Sequence, residues 1–292
     1  MSILIDSNTR VIVQGITGRA GTFYTDQSMR YAANYVGGVR PGRGDTMHLG
    51  LPIFHDVKSA KEATGATASL VIVPAPNAAD AIIEAVEAEL EVIVCVTERV
   101  PQHDMARVKR SLQSSQTVLI GPNSQGILTP GQCKIGVMPT KEEKPGHIGL
   151  VSRSASLTSE ILANCSAAGL GQSTTVGIGG DAIHGIGFVE CLEKFKEDAD
   201  THCVVLIGEI GGQEEERAAE YLAANDYPKP VVALIAGRHA PVGRRMGHAG
   251  TLPAFAGLSV DQKIDALRKA DARIAMTPQD VVGQVLAATG GI

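Results

Sequence analysis

Short apolar runs rich in β-branched residues alternate with helix-like stretches along almost the whole chain, and glycines follow several of these runs. Continuous apolar runs of this kind are typical of strands that are buried on both faces of a sheet. Helix-like stretches such as Ala78–Glu89, with apolar residues at helical spacing, lie between the runs. Strands that alternate with helices predict a parallel, doubly wound α/β sheet. The strand-like runs of the first half are Arg10–Gln14, Ser69–Pro74, Glu91–Val96 and Thr117–Ile120.

A polar segment, Lys141–His147 (KEEKPGH), interrupts this alternation, and strand-like runs start again after it. We place the domain boundary there, because the two halves share an architecture and no sequence repeat joins them. The prediction is two tandem α/β domains, residues 1–140 and 147–292. The strands expected in the second half are His147–Val151, Thr174–Ile178, Cys203–Ile207, Pro230–Ala236 and Arg273–Met276.

Composition and charge exclude several classes of protein. With 44% apolar residues among 292, the chain can bury a sizeable core, and a net charge of −5 without long single-sign blocks disfavours a dedicated nucleic-acid binder. No apolar run reaches the roughly 18 residues that a membrane span needs, and the N-terminus lacks a signal-peptide layout. The five cysteines are scattered and never form a CxxC pair, so neither a disulfide framework nor a zinc site is indicated. We expect a soluble, cytoplasmic protein that holds no metal and has no membrane or nucleic-acid partner.

The first strand runs directly into a glycine loop, Gly15–Gly21 (GITGRAG), that opens a helix. Such a loop lets backbone N–H groups and a helix N-terminus face a pyrophosphate, although a plain tight turn would have the same pattern. An NAD site would also place an acid about 20 residues further on. Here Arg40 and Arg43 come first and Asp45 only later, which suits a phosphorylated ribose, as in NADP or coenzyme A. The alternative is that both arginines are solvated loop residues.

A serine-rich turn, Ser152–Ser156 (SRSAS), lies between an apolar strand and a helix-like stretch in the second half. A serine-rich helix N-terminus is suited to hold an anion, because it combines N–H donors with hydroxyls. An ordinary N-cap that uses Ser154 or Ser156 would explain the same residues. The turn alone does not decide between these interpretations.

Two further motifs place an acid and a histidine on glycine-flanked loops. Glu209 stands in IGEIGG at the end of a strand, and Thr175–Asp181 (TVGIGGD) ends the preceding strand in the same way. His248 lies in Arg244–Gly250 (RRMGHAG), where the glycines allow a phosphate to approach closely. Ligands of open α/β sheets bind at the carboxyl ends of strands, and a histidine there can act as a nucleophile if an acid orients its other ring nitrogen. The histidines that we expect to be structural or solvated are His103, His147, His202 and His239.

Together these motifs resemble the α subunit of the succinate–CoA ligase (succinyl-CoA synthetase) family over roughly residues 2–250. The stretches VIVQGITGRAGT, VGGVRPGRGDTMHLGLPIF, VSRS, GQSTTVGIGGD, IGEIGG and MGHAG follow the order and spacing of that family. The resemblance implies an N-terminal Rossmann-like CoA-binding domain and a C-terminal flavodoxin-like domain that carries a phosphohistidine. It also implies synthesis of an acyl-CoA from a carboxylate, CoA and ATP or GTP, through an acyl phosphate.

The resemblance assigns roles to particular residues. His248 would be the phosphorylated histidine, and Glu209 would be the carboxylate that orients it. The residues that match CoA contacts are Thr17, Gly18, Arg19, Ala20, Arg43, Val96, Thr97 and Glu98, with Arg43 standing where the family usually has Lys. The residues that match the site of the histidine's phosphate are Ser154, Ala155 and Ser156. The residues on the side of the carboxylate substrate are Asn123, Ser124 and Ser159.

The resemblance also implies a partner. The nucleotide and Mg²⁺ would be bound mainly by a β subunit, in an αβ or α2β2 assembly, because this chain has no segment that resembles a nucleotide-grasp domain.

The departures from the family pattern lie mainly on the substrate side. The usual GPNCPG is GPNSQG here, and SRSGTLTYE is SRSASLTSE, so that Ser159 replaces a tyrosine. The stretch TLPAFAGLS after Gly250 also lacks the usual glycine-rich continuation. Succinate is therefore expected beside an alternative, a bulkier or more polar acid such as malate, citrate or a succinate analogue. Two other classes remain open at this point: an NADP-dependent oxidoreductase and a non-catalytic CoA-binding regulator.

Overall fold

The structure is a computed structural model, which describes residues 2–241, 246–251 and 259–290. Its contacts divide the chain into two compact units. The N-terminal unit comprises Leu4–Met138 and the short segment Ile183–Gly185, and the C-terminal unit comprises most of the chain after Met138 together with residues 2 and 3. The predicted limits are 1–140 and 147–292, and the division after Met138 lies just before the polar segment Lys141–His147.

The N-terminal unit alternates strands and helices. Its strands are β1 Arg10–Gln14, β2 Asn34–Val39, β3 Thr46–His48, β4 Leu51–Phe54, β5 Ala68–Val71, β6 Val92–Cys95, β7 Val118–Ile120, β8 Gly126–Thr129 and β9 Cys133–Gly136. Its helices are α1 Arg19–Tyr31, α2 Val57–Thr64, α3 Ala75–Glu87 and α4 Gln102–Leu112.

The main sheet of the N-terminal unit has the strand order β3-β4-β2-β1-β5-β6-β7. Within the fully described residues 4–138, β3 pairs antiparallel with β4 and the other neighbours in this order are parallel. The parallel strands therefore have the Rossmann order, and the order reverses between β1 and β5. Loops that follow these two strands are the expected place for a ligand.

The C-terminal unit is also doubly wound. Its strands are β10 Pro145–Ser152, β11 Gln172–Gly177, β12 Cys203–Glu209, β13 Val231–Ala236 and β14 Arg273–Ala275. Its helices are α5 Ala155–Ala167, α6 Phe188–Glu197, α7 Glu214–Asn225, α8 Val260–Lys269 and α9 Asp280–Thr289. These strands lie parallel in the order β14-β13-β12-β10-β11, which is the flavodoxin-like order. The order reverses between β10 and β12, so the ends of these two strands define the expected binding edge.

The predicted α/β class and the two doubly wound sheets are confirmed. The strand cores are buried on both faces, as the continuous apolar runs indicated: Val11, Ile12 and Val13 of β1 are fully buried. The predicted runs do not include β2, whose apolar run is broken by Gly37 and Gly38, or the short strands β3, β4, β8 and β9, whose three or four residues carry little periodicity. The predicted start of β10 at His147 is too late. That strand begins at Pro145, inside the polar segment, and proline is tolerated at the first residue of a strand.

The helices are too short or too polar to cross a membrane, as far as the described residues show.

Candidate active site

The end of β12 and a loop that follows β13 bring an acid and a histidine together. Glu209 is the last residue of β12, and His248 lies on the loop segment Met246–Thr251. His248 Nδ1 is 2.7 Å from Glu209 Oε2. The histidine side chain is 33% exposed and the carboxylate 9%, so a buried acid supports an accessible imidazole.

This hydrogen bond determines the chemistry of the ring. A carboxylate oxygen can only accept, so Nδ1 carries the proton and the neutral ring keeps its lone pair on Nε2. The hydrogen bond to Glu209 raises the pKa of His248 above its ordinary value, while burial of the ring opposes the rise. His248 therefore presents Nε2 as an oriented nucleophile, while the negatively charged Glu209 holds Nδ1 on the other side of the ring.

The histidine ring lies directly against backbone. A Cβ added to Gly180 would lie 2.3 Å from His248 Cγ, so any side chain at this position would displace the ring. The Gly250 N–H donates to the Gly180 carbonyl over 3.1 Å and ties the histidine loop to the loop that follows β11. Thr251 closes the loop, because its hydroxyl lies 2.7 Å from the His248 carbonyl and accepts the Met246 N–H at 3.0 Å.

A buried arginine completes the site, although neither the motifs nor the resemblance gives it a role. Arg153 is 4% exposed, and its Nε lies 3.1 Å from Glu209 Oε1. The two atoms form no aligned hydrogen bond, so the pairing is electrostatic. The Glu209 carboxylate thus has Arg153 at one oxygen and His248 at the other. The signal was present in the sequence, since Arg153 follows a buried strand at the sheet edge where Glu209 was expected.

The serine-rich turn forms the beginning of α5. Ser154 is the N-cap, and its hydroxyl oxygen accepts the Leu157 N–H at 3.3 Å. Ala155 and Ser156 are exposed in the first turn, where helix geometry leaves backbone N–H groups without partners inside the helix. The N-cap interpretation is confirmed for Ser154, and it is compatible with an anion site in the same turn. Ser159 lies one turn further on, and its hydroxyl donates to the Ala155 carbonyl at 3.2 Å.

The glycine loop of the N-terminal unit needs its glycines for steric reasons. Gly15 has φ +98°, and a Cβ there would lie 2.6 Å from the carbonyl oxygen of Ile72, the residue that follows β5. A Cβ on Gly21 would lie 2.2 Å from the Gly15 carbonyl oxygen. Gly18 is the N-cap of α1, and with Arg19 and Ala20 it is exposed. The loop therefore brings the α1 N-terminus close to the sheet with its backbone open to a ligand.

A cavity of about 620 Å³ opens at this loop, where the strand order reverses. Its wall includes Thr17, Gly18, Arg40 and Val73. Arg40 Nη1 donates to Thr17 Oγ1 at 3.0 Å, which holds the guanidinium at the cavity. Arg43 is exposed and is not among the residues that line the cavity. Of the two arginines in the predicted ribose-phosphate region, Arg40 is therefore the one that the fold places at the loop.

The second group of predicted CoA residues follows β6. The Thr97 hydroxyl donates to the Val73 carbonyl at 2.7 Å, and the Asn123 N–H donates to the Thr97 carbonyl at 2.9 Å. Val96 and Thr97 are half-buried and Glu98 is exposed. Ser124 is buried, and its hydroxyl oxygen accepts the Gly126 N–H at 2.8 Å. Thr97 therefore contacts Val73 of the cavity wall directly, and Asn123 is linked to it through Thr97.

The remaining predictions concern other histidines and residues outside the description. The residues His103, His147, His202 and His239 are exposed, as expected for solvated side chains. The rings of His147 and His202 also stack, with centroids 4.1 Å apart. Arg244 and residues 252–258 of the altered TLPAFAGLS stretch lie outside the described residues.

Family models match both units of the chain. A CoA binding domain model matches residues 6–99, and a CoA-ligase model matches residues 151–273. The chain is 48% identical over 281 residues to the succinate–CoA ligase [ADP-forming] subunit alpha of Staphylococcus aureus, covering 96% of this chain and 93% of the relative. The corresponding protein of Staphylococcus epidermidis is 47% identical over the same length.

Solved structures share the fold. ATP citrate lyase of Methanosaeta concilii superposes with a TM-score of 0.86 at 23% identity, over 99% of this chain and 50% of the longer one. A dinucleotide-forming acetyl-coenzyme A synthetase of Ca. Korarchaeum cryptofilum gives a TM-score of 0.79 at 19% identity, over 97% of this chain and 61% of that one. At nearly half identity across almost its entire length, this chain belongs to the succinate–CoA ligase α-subunit family.

Proposed function

We propose that this chain is the α subunit of a nucleoside-diphosphate-forming carboxylate–CoA ligase, with succinate as its acid. The observation that carries the proposal is the His248–Glu209 pair, in which a buried carboxylate fixes the ring 2.7 Å away. This pair lies at the edge where the strand order reverses, together with Arg153 and the first turn of α5. A non-catalytic CoA-binding regulator has no need for such a pair, and the family match speaks against an oxidoreductase.

His248 is the residue that carries the phosphoryl group. Its Nε2 lone pair forms a bond to the terminal phosphorus of ATP or GTP, and the bond from that phosphorus to the bridging oxygen breaks to release the nucleoside diphosphate. A carboxylate oxygen of the acid then takes the phosphoryl group from Nε2 and becomes an acyl phosphate. The CoA thiolate attacks the acyl carbon, and inorganic phosphate leaves. His248 returns to its neutral form with the Nδ1 proton still donated to Glu209.

The surrounding groups of the C-terminal unit suit a transferable phosphoryl group. Glu209 stabilises the positive charge that the ring acquires when Nε2 forms its new bond. The first turn of α5, with Ser154, Ala155 and Ser156, offers N–H donors and hydroxyls to the phosphate oxygens. Arg153 offsets the charge of Glu209, so the carboxylate does not repel the incoming anion.

The N-terminal unit would bind the CoA co-substrate. Thr17, Gly18, Arg19 and Ala20 form the turn at the α1 N-terminus, where the exposed backbone of residues 18–20 can offer N–H groups to a pyrophosphate. Arg40 at the cavity and the more exposed Arg43 supply positive charge for the ribose phosphate. Further contacts are proposed for Val96, Thr97 and Glu98.

The acid is assigned by family, and Asn123, Ser124 and Ser159 are proposed as residues of its site. A larger or more polar acid is the alternative, because Ser159 stands where the family has a tyrosine and leaves room and a hydroxyl. The nucleotide and its Mg²⁺ are proposed to bind mainly on a β subunit, in an αβ or α2β2 complex. A cytoplasmic location is proposed because all five cysteines are buried and free.

The test is direct phosphorylation. The chain, co-expressed with its β subunit, is incubated with γ-labelled ATP or GTP, and the expected product is an acid-labile, base-stable label on this chain. His248→Asn should abolish the label, whereas His239→Asn, an exposed histidine of the same unit, should leave it intact. Label that survives in His248→Asn would remove this residue from the mechanism. CoA-dependent release of nucleoside diphosphate with succinate, malate and citrate then identifies the acid.

A further inference from the structure

A buried lysine lies behind the histidine pair. Lys263 on α8 is fully buried, although lysine is among the residues least often buried without a partner. Its ammonium donates to the Gly211 carbonyl at 2.8 Å and to the Gly212 carbonyl at 3.2 Å, and it forms ion pairs with Glu215 and Glu216. A buried ammonium is retained only where such acceptors compensate for its lost hydration.

The lysine's main carboxylate partner also contacts the catalytic strand. Glu215 is 1% exposed, and while its Oε2 pairs with Lys263, its Oε1 accepts the backbone N–H of Glu209 at 3.0 Å. Burial raises the pKa of Glu215, and the charges of Lys263 and Arg153 act against that rise. Glu215 therefore connects the ammonium to the backbone of the residue that orients His248.

The same lysine supports the loop that carries the histidine. A Cβ on Gly211 would lie 2.5 Å from the Gly250 carbonyl oxygen and 2.8 Å from Thr251 Cα, so the two loops pack backbone against backbone. Lys263 holds the Gly211 carbonyl, and Thr251 holds the His248 carbonyl. A shift of the Gly211–Gly212 turn would consequently move both partners of the Glu209–His248 hydrogen bond.

We propose that Lys263 is a positioning residue for phosphoryl transfer. Its ammonium pairs with Glu215 and holds the Gly211–Gly212 turn, so that Glu209 Oε2 and His248 Nδ1 remain within hydrogen-bond distance. Lys263 touches neither substrate nor the reacting nitrogen and acts through Glu215 and the turn. This inference rests on the proposed function, since the reaction that it supports is phosphorylation of His248.

The first experiment compares Lys263→Met with wild type in the complex with the β subunit. Loss of the ammonium should slow labelling of His248 by about tenfold or more, the range found when supporting groups behind a reactive ligand are removed. CoA affinity, measured by calorimetry, should not change, because the glycine loop belongs to the N-terminal unit. Arg268→Met is the matched control, since Arg268 lies on the same helix but is exposed and pairs only with Asp265 among the ion pairs of the described residues.

A second measurement separates positioning from simple stability. In the full chain, labelled histidine signals are titrated by NMR, and the signal of His248 is identified among the eight histidines by its loss in His248→Asn. The groups that face His248 are Glu209, Arg153 and Asp181, and the hydrogen bond from Glu209 contributes most to its raised pKa. Loosening that bond in Lys263→Met should therefore move the titration of His248 toward lower pH.

The double variant Lys263→Met/Glu215→Gln covers the case in which the single variant does not fold. It removes both buried charges, while the amide oxygen introduced at position 215 can still accept the Glu209 N–H. It should show the same slower labelling and the same shift of the His248 titration to lower pH. A folded single or double variant that labels and titrates like wild type would overturn the proposal. If wild type and His248→Asn label equally, the proposed function fails instead, and the titration still tests the positioning of the ring.

Discussion

Removing the charge of Glu209 is the sharpest test of the site geometry. In Glu209→Gln the amide oxygen can still accept the Nδ1 proton of His248, so the ring keeps its partner but loses the negative charge. A hydrogen bond to a charged group contributes about 1.5–3 kcal/mol, against about 0.5–1.5 kcal/mol between neutral groups. The difference of about 1–1.5 kcal/mol applies to the state in which Nε2 bonds to phosphorus and the ring becomes positive. Since about 1.4 kcal/mol equals a factor of ten in rate, phosphorylation should slow by about fivefold to twelvefold.

The pH dependence of this variant has a defined sign. Glu209 raises the pKa of His248, so the wild-type ring stays protonated to a higher pH than an ordinary histidine. Only the neutral ring can attack, and the rate therefore rises as pH increases through the pKa of His248. Without the carboxylate charge this pKa falls, and the rising limb of the profile should move to lower pH. The stabilisation from the charged pair is fully present below the pKa of an unfolded histidine, about 6.5, and is lost as pH rises through the raised folded value.

The assay is single-turnover labelling of the complex with γ-labelled nucleotide from about pH 5.5 to about pH 9, a range that brackets the titration of a histidine. Glu220→Gln on the exposed side of α7 is the matched control, because it removes the same charge away from the site. Thermal unfolding is measured alongside, since the variant leaves the buried Arg153 without its carboxylate. A folded Glu209→Gln protein with the wild-type rate and the wild-type pH profile would refute the assignment of Glu209.

Further variants test the other contacts of the pair. Arg153→Met should move the pKa of His248 in the opposite direction, upward, because the arginine charge lowers it, and should destabilise the fold by about 3–5 kcal/mol; NMR titration and denaturant unfolding measure these effects. Gly180→Ala should abolish phosphorylation, since its Cβ would lie 2.3 Å from the ring, whereas Gly283→Ala, with no neighbour within 4 Å, should stabilise the protein by about 0.5–1 kcal/mol in thermal unfolding. Ser159→Tyr should lower kcat/KM for a large native acid far more than for succinate, and an equal effect on succinate, malate and citrate would show that this position does not select the acid.

The sequence was informative wherever local pattern and burial coincide. The run Arg10–Gln14 followed by Gly15–Gly21 predicted a strand, a tight turn and a helix N-terminus, and the structure has β1, the turn and α1 in that order. The same reasoning placed Glu209 at the end of a strand and His248 on a glycine-flanked loop. These predictions succeeded because period and glycine content are properties of a few consecutive residues.

The sequence was uninformative where a residue's environment comes from distant segments. Arg153 was treated as part of a serine turn, and its role emerges only because β10 lies beside β12 and brings it to Glu209. The resemblance assigns a CoA contact to Arg43 and none to Arg40, yet of the two only Arg40 contacts the glycine loop among the described contacts.

The sequence by itself determined the α/β class and the two doubly wound halves, because strands made of continuous apolar runs must bury both faces. It also determined the sheet edges at which the reactive residues lie, because parallel strands end at a common edge. Only the tertiary structure decided which charges meet there. Lys263 on an amphipathic helix would be expected in solvent, but the fold surrounds it with two carbonyls and two carboxylates from another loop and helix. Electrostatic partners depend on distances in space and on the loss of water, and neither quantity is contained in the spacing of residues along the chain.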